Sequence, residues 1–168
     1  MPDISRSIAH QAEARDGGDR RALQVLVVDD DAVQRALILL AAGHAGHVAT
    51  PAQTCAEAIL LIRSRPFDCV TLDLKLEDGD GTEVIKAMAD ASFAGSVIVI
   101  SGADAGRRSA ARSYARSLGI ELQILPKPVD LAALRIGLAN LGKTAKDLPV
   151  MHIWGGVVVD AVTELHRS

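Results

Sequence analysis

The sequence predicts an α/β protein, a five-stranded parallel sheet doubly wound by helices. Two observations lead there. From about residue 21 onward, apolar runs of strand length alternate with amphipathic stretches of helix length, which is the pattern of repeated βαβ units. The runs "LQVLVV" and "SVIVIS" are apolar at nearly every position, as strands covered on both faces must be. At 168 residues and 49% apolar content, the chain can build one such core with tails to spare.

Each element follows in order. Residues 1–20, "MPDISRSIAHQAEARDGGDR", alternate charge around Gly17-Gly18 and read as a flexible leader without a core period. "LQVLVV" (23–28) is the first strand, and a helix follows to about Ala42 with Gly43 as its stop. A short second strand lies around 46–50. "TCAEAILLIRSR" is a helix capped by Thr54, with Glu57 at capping-box spacing. "FDCVTLDL" is the third strand, "KLEDGDG" a loop, and about 82–90 a helix. "SVIVIS", "ADAGRRSAARSYARSL" ended by Gly119, "ELQIL" and "VDLAALRIGLANL" supply the last two strand–helix units. The domain therefore spans 21–141, and 142–168 is an extension whose "VMHIWGGVVVDAVTEL" is apolar enough to dock on the core or on a partner, a homodimer included.

Composition removes several function classes. Net charge is −3 and the aromatics are Phe67, Phe93, Tyr114 and Trp154, so there is neither a basic stripe nor a stacking platform for nucleic acid. Cys55 and Cys69 lack metal or CxxC spacing and read as reduced core thiols. No apolar run approaches the ~18 residues of a membrane span, and the N-terminus shows no signal core. A soluble, cytoplasmic protein is expected.

In a doubly wound sheet, ligands bind outside the carboxyl ends of the strands. There the first strand ends in Asp29 and Asp30, the third in Asp73 and the fourth in Ser101, while Lys127 follows the fifth. Converging carboxylates repel, since unit charges about 4 Å apart at an effective dielectric of about 20 interact by about 4 kcal/mol. A hard divalent cation such as Mg²⁺ relieves this with oxygen coordination. Lys127 and Ser101 would then neutralise and hydrogen-bond a phosphoryl group.

"VLVVDDD", "CVTLDLKLEDGDG", "VIVISG" and "ILPKPVD", in this order and spacing, resemble the receiver domain of two-component response regulators over about residues 22–141. The resemblance implies a flavodoxin-like (βα)5 fold and a phosphoprotein rather than an enzyme that turns over substrate. Asp73 would accept a phosphoryl group from a sensor histidine kinase or phosphotransfer protein and pass the signal to an output protein. Asp29 and Asp30 would hold Mg²⁺ with Asp73 and the backbone carbonyl of Lys75. Ser101 would be the switch hydroxyl, Lys127 its salt-bridging partner, and the Lys127-Pro128 bond cis. The position three before the lysine, aromatic in the family, is here Ile124, so the usual aromatic switch is missing. Lys75 and Ala103 stand where the family sets its dephosphorylation rate, and a long lysine there should shield the phosphoryl group from water.

A rival reading is an enzyme. "VVDDDAV" also fits the nucleophile motif of haloacid dehalogenase-type phosphatases, with Asp29 as nucleophile, Asp31 as acid/base, and Ser101 and Lys127 in later motifs. It leaves Asp73 and "LEDGDG" without a role and needs a further acidic pair, for which only "VVVDAVTE" is on offer. Outside the site, Asp31 reads as a helix N-cap, His44 and His47 as a surface turn, and "GADAGRRSAAR" as a solvated arginine-rich face.

Overall fold

The computed structural model describes residues 21–141. The leader and the 142–168 extension lie outside the described residues. The chain runs β1 (Gln24–Val28), α1 (Ala32–His44), β2 (Val48–Ala52), α2 (Cys55–Ser64), β3 (Cys69–Leu72), β4 (Lys75–Leu76), β5 (Gly79–Asp80), α3 (Gly81–Asp90), β6 (Ser96–Ser101), α4 (Ala105–Ser117), β7 (Leu122–Pro126) and α5 (Leu131–Asn140). Five strands form one sheet in the order β2-β1-β3-β6-β7, every pairing parallel. The five-stranded, flavodoxin-like architecture read from the sequence is the one observed.

Alternation along the strands sorts the core into two layers. Val25, Val27, Cys69, Ile98 and Ile100 pack with Ile38 of α1 and with Leu134 and Leu138 of α5. Leu26, Val28, Val70, Leu72, Val97 and Val99 face the other way, onto Ala58, Val84, Ile85, Met88, Ala111 and Ala115 of α2, α3 and α4. Cys55 and Cys69 are free and buried. Burial pushes the Cys69 thiol up to about 12; burial and then nearby Asp78 push Cys55 up to about 11. Both behave as small apolar groups.

Several boundaries differ from the sequence reading, each for a local reason. Helix α1 passes through Gly43 because the left-handed residue is Gly46 (φ 85), where the His47 amide reaches back to the Ala42 carbonyl at 3.0 Å, a Schellman-type stop. Strand β2 accordingly starts later, at Val48. The loop "KLEDGDG" contains an antiparallel hairpin, β4 with β5. Its apex is nailed to α2, because the Asp78 carboxylate accepts from the amides of Cys55 (2.8 Å) and Ala56 (3.1 Å). Thr54 caps α2 through the Glu57 amide, while the Glu57 carboxylate takes the Gln53 amide, one residue earlier than a capping box requires.

His47 is half-buried and partnered rather than a surface-turn residue. Its Nδ1 accepts from the Leu23 amide (3.3 Å), so Nε2 carries the proton and donates to the Leu138 carbonyl (2.7 Å). One ring thereby ties the start of β1 to the last turn of α5.

Candidate functional site

The strand order reverses beside β1, whose neighbours β2 and β3 lie on opposite sides, and the crevice outside such a switch point is where α/β sheets bind ligands. Asp29 directly follows β1 and Asp73 directly follows β3. Their amides extend the ladder, Asp29 N–H to the Ala52 carbonyl (3.1 Å) and Asp73 N–H to that of Val28 (2.9 Å). Both carboxylates are thus set by sheet backbone, at 1% and 7% exposure.

Lys127, one residue beyond β7, donates from Nζ to Asp73 Oδ2 (2.7 Å) and Asp29 Oδ2 (3.0 Å). The remaining oxygens are also engaged: Asp29 Oδ1 accepts from the Asp31 amide (2.9 Å), and Asp73 Oδ1 from the Lys75 amide (3.1 Å). Burial, the dominant influence on Asp29, raises its carboxyl above the usual range despite the lysine. Burial also works against the charge of Lys127, yet its bonds to Asp73 and Asp29 leave its ammonium held above the ordinary value. Asp30 is half-buried, and its carboxylate has no hydrogen-bond partner among the described residues.

One carboxylate oxygen each from Asp29, Asp30 and Asp73 lie within 4.8 Å of one another. Three formal negative charges face a single ammonium, so the donor set fits a hard divalent cation bound through oxygen. The Lys75 backbone leaves the loop immediately beside this cluster, whereas its side chain is exposed. Ser101 ends β6 fully buried, and its Oγ accepts from the Ala103 amide (3.1 Å). The Lys127 amide donates to the Ser101 carbonyl (3.2 Å), which fixes these two positions to each other. The Lys127-Pro128 bond is cis. All the residues singled out at the strand ends therefore gather at one edge of the sheet.

Asp31 stands apart. Its carboxylate caps α1 by accepting from Gln34 (2.9 Å) and Val33 (2.8 Å), and those amides, Gln34 first, hold it below the usual carboxylate range. Arg35 was missed in the sequence: its Nη1 donates to the backbone carbonyls of Asp29 (2.7 Å) and Asp30 (3.3 Å), pinning the acidic loop from below. Its only signal was a cation in the first turn of the helix after the acidic run. A cavity of about 530 Å³, lined by Leu23, Phe67, Phe93 and Leu141 among others, lies at the opposite edge of the sheet and shares no residue with this site.

A parallel α/β domain with three carboxylates and a lysine in the crevice at its switch point is built to hold a cation beside an anion, and comparison makes the family definite. The family model for the response regulator receiver domain matches residues 25–139. The chain belongs to this family. It is 32% identical over 82 residues to the transcriptional regulatory protein PmrA of Pectobacterium parmentieri, an alignment covering 49% of this chain and 37% of that protein, so the match spans well under half of the relative's length. Among solved structures it is similar to a response regulator from Colwellia psychrerythraea (30% identity, 73% of this chain and 98% of that one, TM-score 0.63). A receiver protein from Pseudomonas putida is similar at 32% identity, covering 71% and 97%, with a TM-score of 0.58. A Burkholderia pseudomallei response regulator with a phosphorylated aspartic acid, calcium ion and citrate shares the fold at 21% identity, covering 73% and 67%, with a TM-score of 0.60. Among the described residues no helix is long and apolar enough to cross a membrane.

Proposed function

We propose that this receiver domain takes a phosphoryl group on Asp73 in a Mg²⁺-dependent reaction, from a sensor histidine kinase or a phosphotransfer protein, and thereby alters binding of an output protein. The observation that carries the reading is the placement of the Asp73 carboxylate, within hydrogen-bond reach of Lys127 and beside the carboxylates of Asp29 and Asp30. A carboxylate oxygen of Asp73 attacks phosphorus, the bond from phosphorus to the donor breaks, and its electron pair leaves with the donor. Lys127 offsets the charge of the acyl phosphate, and Ser101 donates its hydroxyl proton to a phosphoryl oxygen. Asp29, Asp30, Asp73 and the Lys75 carbonyl would hold Mg²⁺, which supplies electrostatic stabilisation of the phosphoryl oxygens.

The test is intact mass after incubation with acetyl phosphate and Mg²⁺. One phosphoryl group is expected on the wild type and none on Asp73→Asn; full labelling of that variant would overturn the assignment. The phosphatase alternative needs Asp31 as acid/base, and the commitment of its carboxylate to two helix amides weighs against it. Turnover of a generic phosphomonoester would revive it.

Helix α1, which starts beside the acidic loop, exposes Val33 (69%) and Leu40 (59%). Seven residues apart, they share one helix face, and such an apolar stripe next to the carboxylates suits a docking phosphodonor protein. Leu40→Glu should slow transfer from a protein donor at least several-fold while leaving labelling by acetyl phosphate unchanged.

A further inference from the structure

Whatever Asp73 accepts must be reported to a surface, and the loop that follows it touches two neighbours in different ways. Toward α2 the β4–β5 hairpin is fixed: Asp78 takes two main-chain amides of that helix, and the buried Cys55 Sγ lies 3.5 Å from the Asp80 carbonyl. Toward α4 the side-chain hydrogen bond is a single exposed pair, Arg107 Nη2 to Asp80 Oδ2 at 2.5 Å, with side chains 43% and 40% exposed. Asp80 spends its other oxygen on the Thr82 amide as the cap of α3, so this one carboxylate joins the phosphoacceptor loop, α3 and α4.

Helix α4 is itself lightly held. It buries only Ala111 and Ala115, and such thin apolar contact marks segments that open at low free energy. Glycines flank its start: a Cβ on Gly102 would meet nothing nearer than 3.8 Å, and Gly106 lies in its first turn. The connecting loop is strung on Ala103, whose amide donates to Ser101 Oγ (3.1 Å) and whose carbonyl accepts from Arg108 Nη1 (2.5 Å). Turning Ser101 toward a group on Asp73 withdraws the acceptor from the Ala103 amide, and the loop can then carry the first turn of α4 with it. That motion must break or drag Arg107–Asp80.

We infer that the Arg107–Asp80 ion pair is a latch that holds α4 in its unphosphorylated position and is released when Asp73 is modified. The inference rests on the phosphoacceptor reading above and adds to it the contact through which the site reaches the α4 surface. Because the latched form must open for Ser101 to turn, weakening the latch enlarges the population competent to accept a phosphoryl group. An exposed pair shifts such an equilibrium by about two- to five-fold.

The experiment measures the initial rate of mass gain with acetyl phosphate at fixed Mg²⁺ for the wild type, Arg107→Gln and Arg116→Gln. Arg116 lies in the last turn of the same helix, so its variant carries the same loss of charge without touching the latch. Arg107→Gln should label about two- to five-fold faster than Arg116→Gln, which should match the wild type, and the advantage should shrink at high salt. Equal or slower labelling of Arg107→Gln overturns the latch. Hydrogen exchange without any donor separates this from failure of the phosphoacceptor reading: amides 103–108 should exchange faster in Arg107→Gln only, with Cys55 and Ala56 unchanged. Unchanged exchange at 103–108 refutes the latch whether or not any variant is labelled.

Discussion

Helices α3 and α4 follow adjacent sheet positions on the same face, yet they are built to opposite specifications. Helix α3 buries Gly81, Val84, Ile85, Ala87 and Met88, and its first residue sits so close to Asp73 that a Cβ on Gly81 would come within 2.6 Å of the Asp73 carbonyl. Helix α4 buries two alanines and turns arginines to solvent. The difference assigns them separate duties. The helix packed against Asp73 is anchored, so that any displacement would carry that carboxylate with it; the helix after β6 would lose little apolar area if it moved.

The largest test of this contrast is a pair of truncations read by urea unfolding. Met88→Ala should cost about 2–5 kcal/mol, as buried methionine truncations do. Ala111→Gly should cost only about 1 kcal/mol, mainly through helix propensity. Equal losses would break the comparison.

A smaller effect sharpens it from the site both helices share. Burial raises the carboxyl of Asp29 above its ordinary 3.8, so the folded state binds that proton more tightly than the unfolded state. The stability linked to this proton is present below the unfolded value and is lost as pH rises through the raised folded value. Asp29→Asn removes the ionisation, and in a chelator at neutral pH it should be more stable than wild type by about 1 kcal/mol. Thermal melts should show that gain vanish near pH 3 and reverse when Mg²⁺ is added. A variant that melts lower than wild type at neutral pH without metal would show that the lysine outweighs burial.

The smallest effect is on α4. Arg107→Gln should change global stability by less than about 1 kcal/mol, since both partners are well exposed. A larger loss in the same urea series would mean that the ion pair supports the fold rather than the position of one helix.

The parts legible in the sequence are those written in consecutive residues. An apolar strand that stops at Asp29, at Asp73 or at Ser101 announces both the strand and its chemical end, and a doubly wound sheet then forces those ends together. The cap of α1 was equally plain, since Asp31 precedes its own amide partners. What stayed hidden depends on contacts between distant residues. Asp78 reaches amides 22 and 23 positions earlier, Arg107 a carboxylate 27 positions earlier, and His47 a carbonyl 91 positions later. The β4–β5 hairpin has two-residue strands, too short for any alternation to register. Gly43 misled because glycine is tolerated inside a helix, whereas the stop was set by the backbone of Gly46.

His47 has a topological consequence. By joining the Leu23 amide to the Leu138 carbonyl, it brings the two ends of the domain to one corner, and Leu23 and Leu141 line the same cavity there. That corner lies at the start of the strands, a full strand length from the carboxylates, or about 17 Å for five residues. The domain is therefore shaped like a closed loop with its seam on the far side from its chemistry. A circular permutant joining 141 to 21 through a short glycine-serine linker, with new ends opened elsewhere on the surface, should fold and keep its acidic crevice intact.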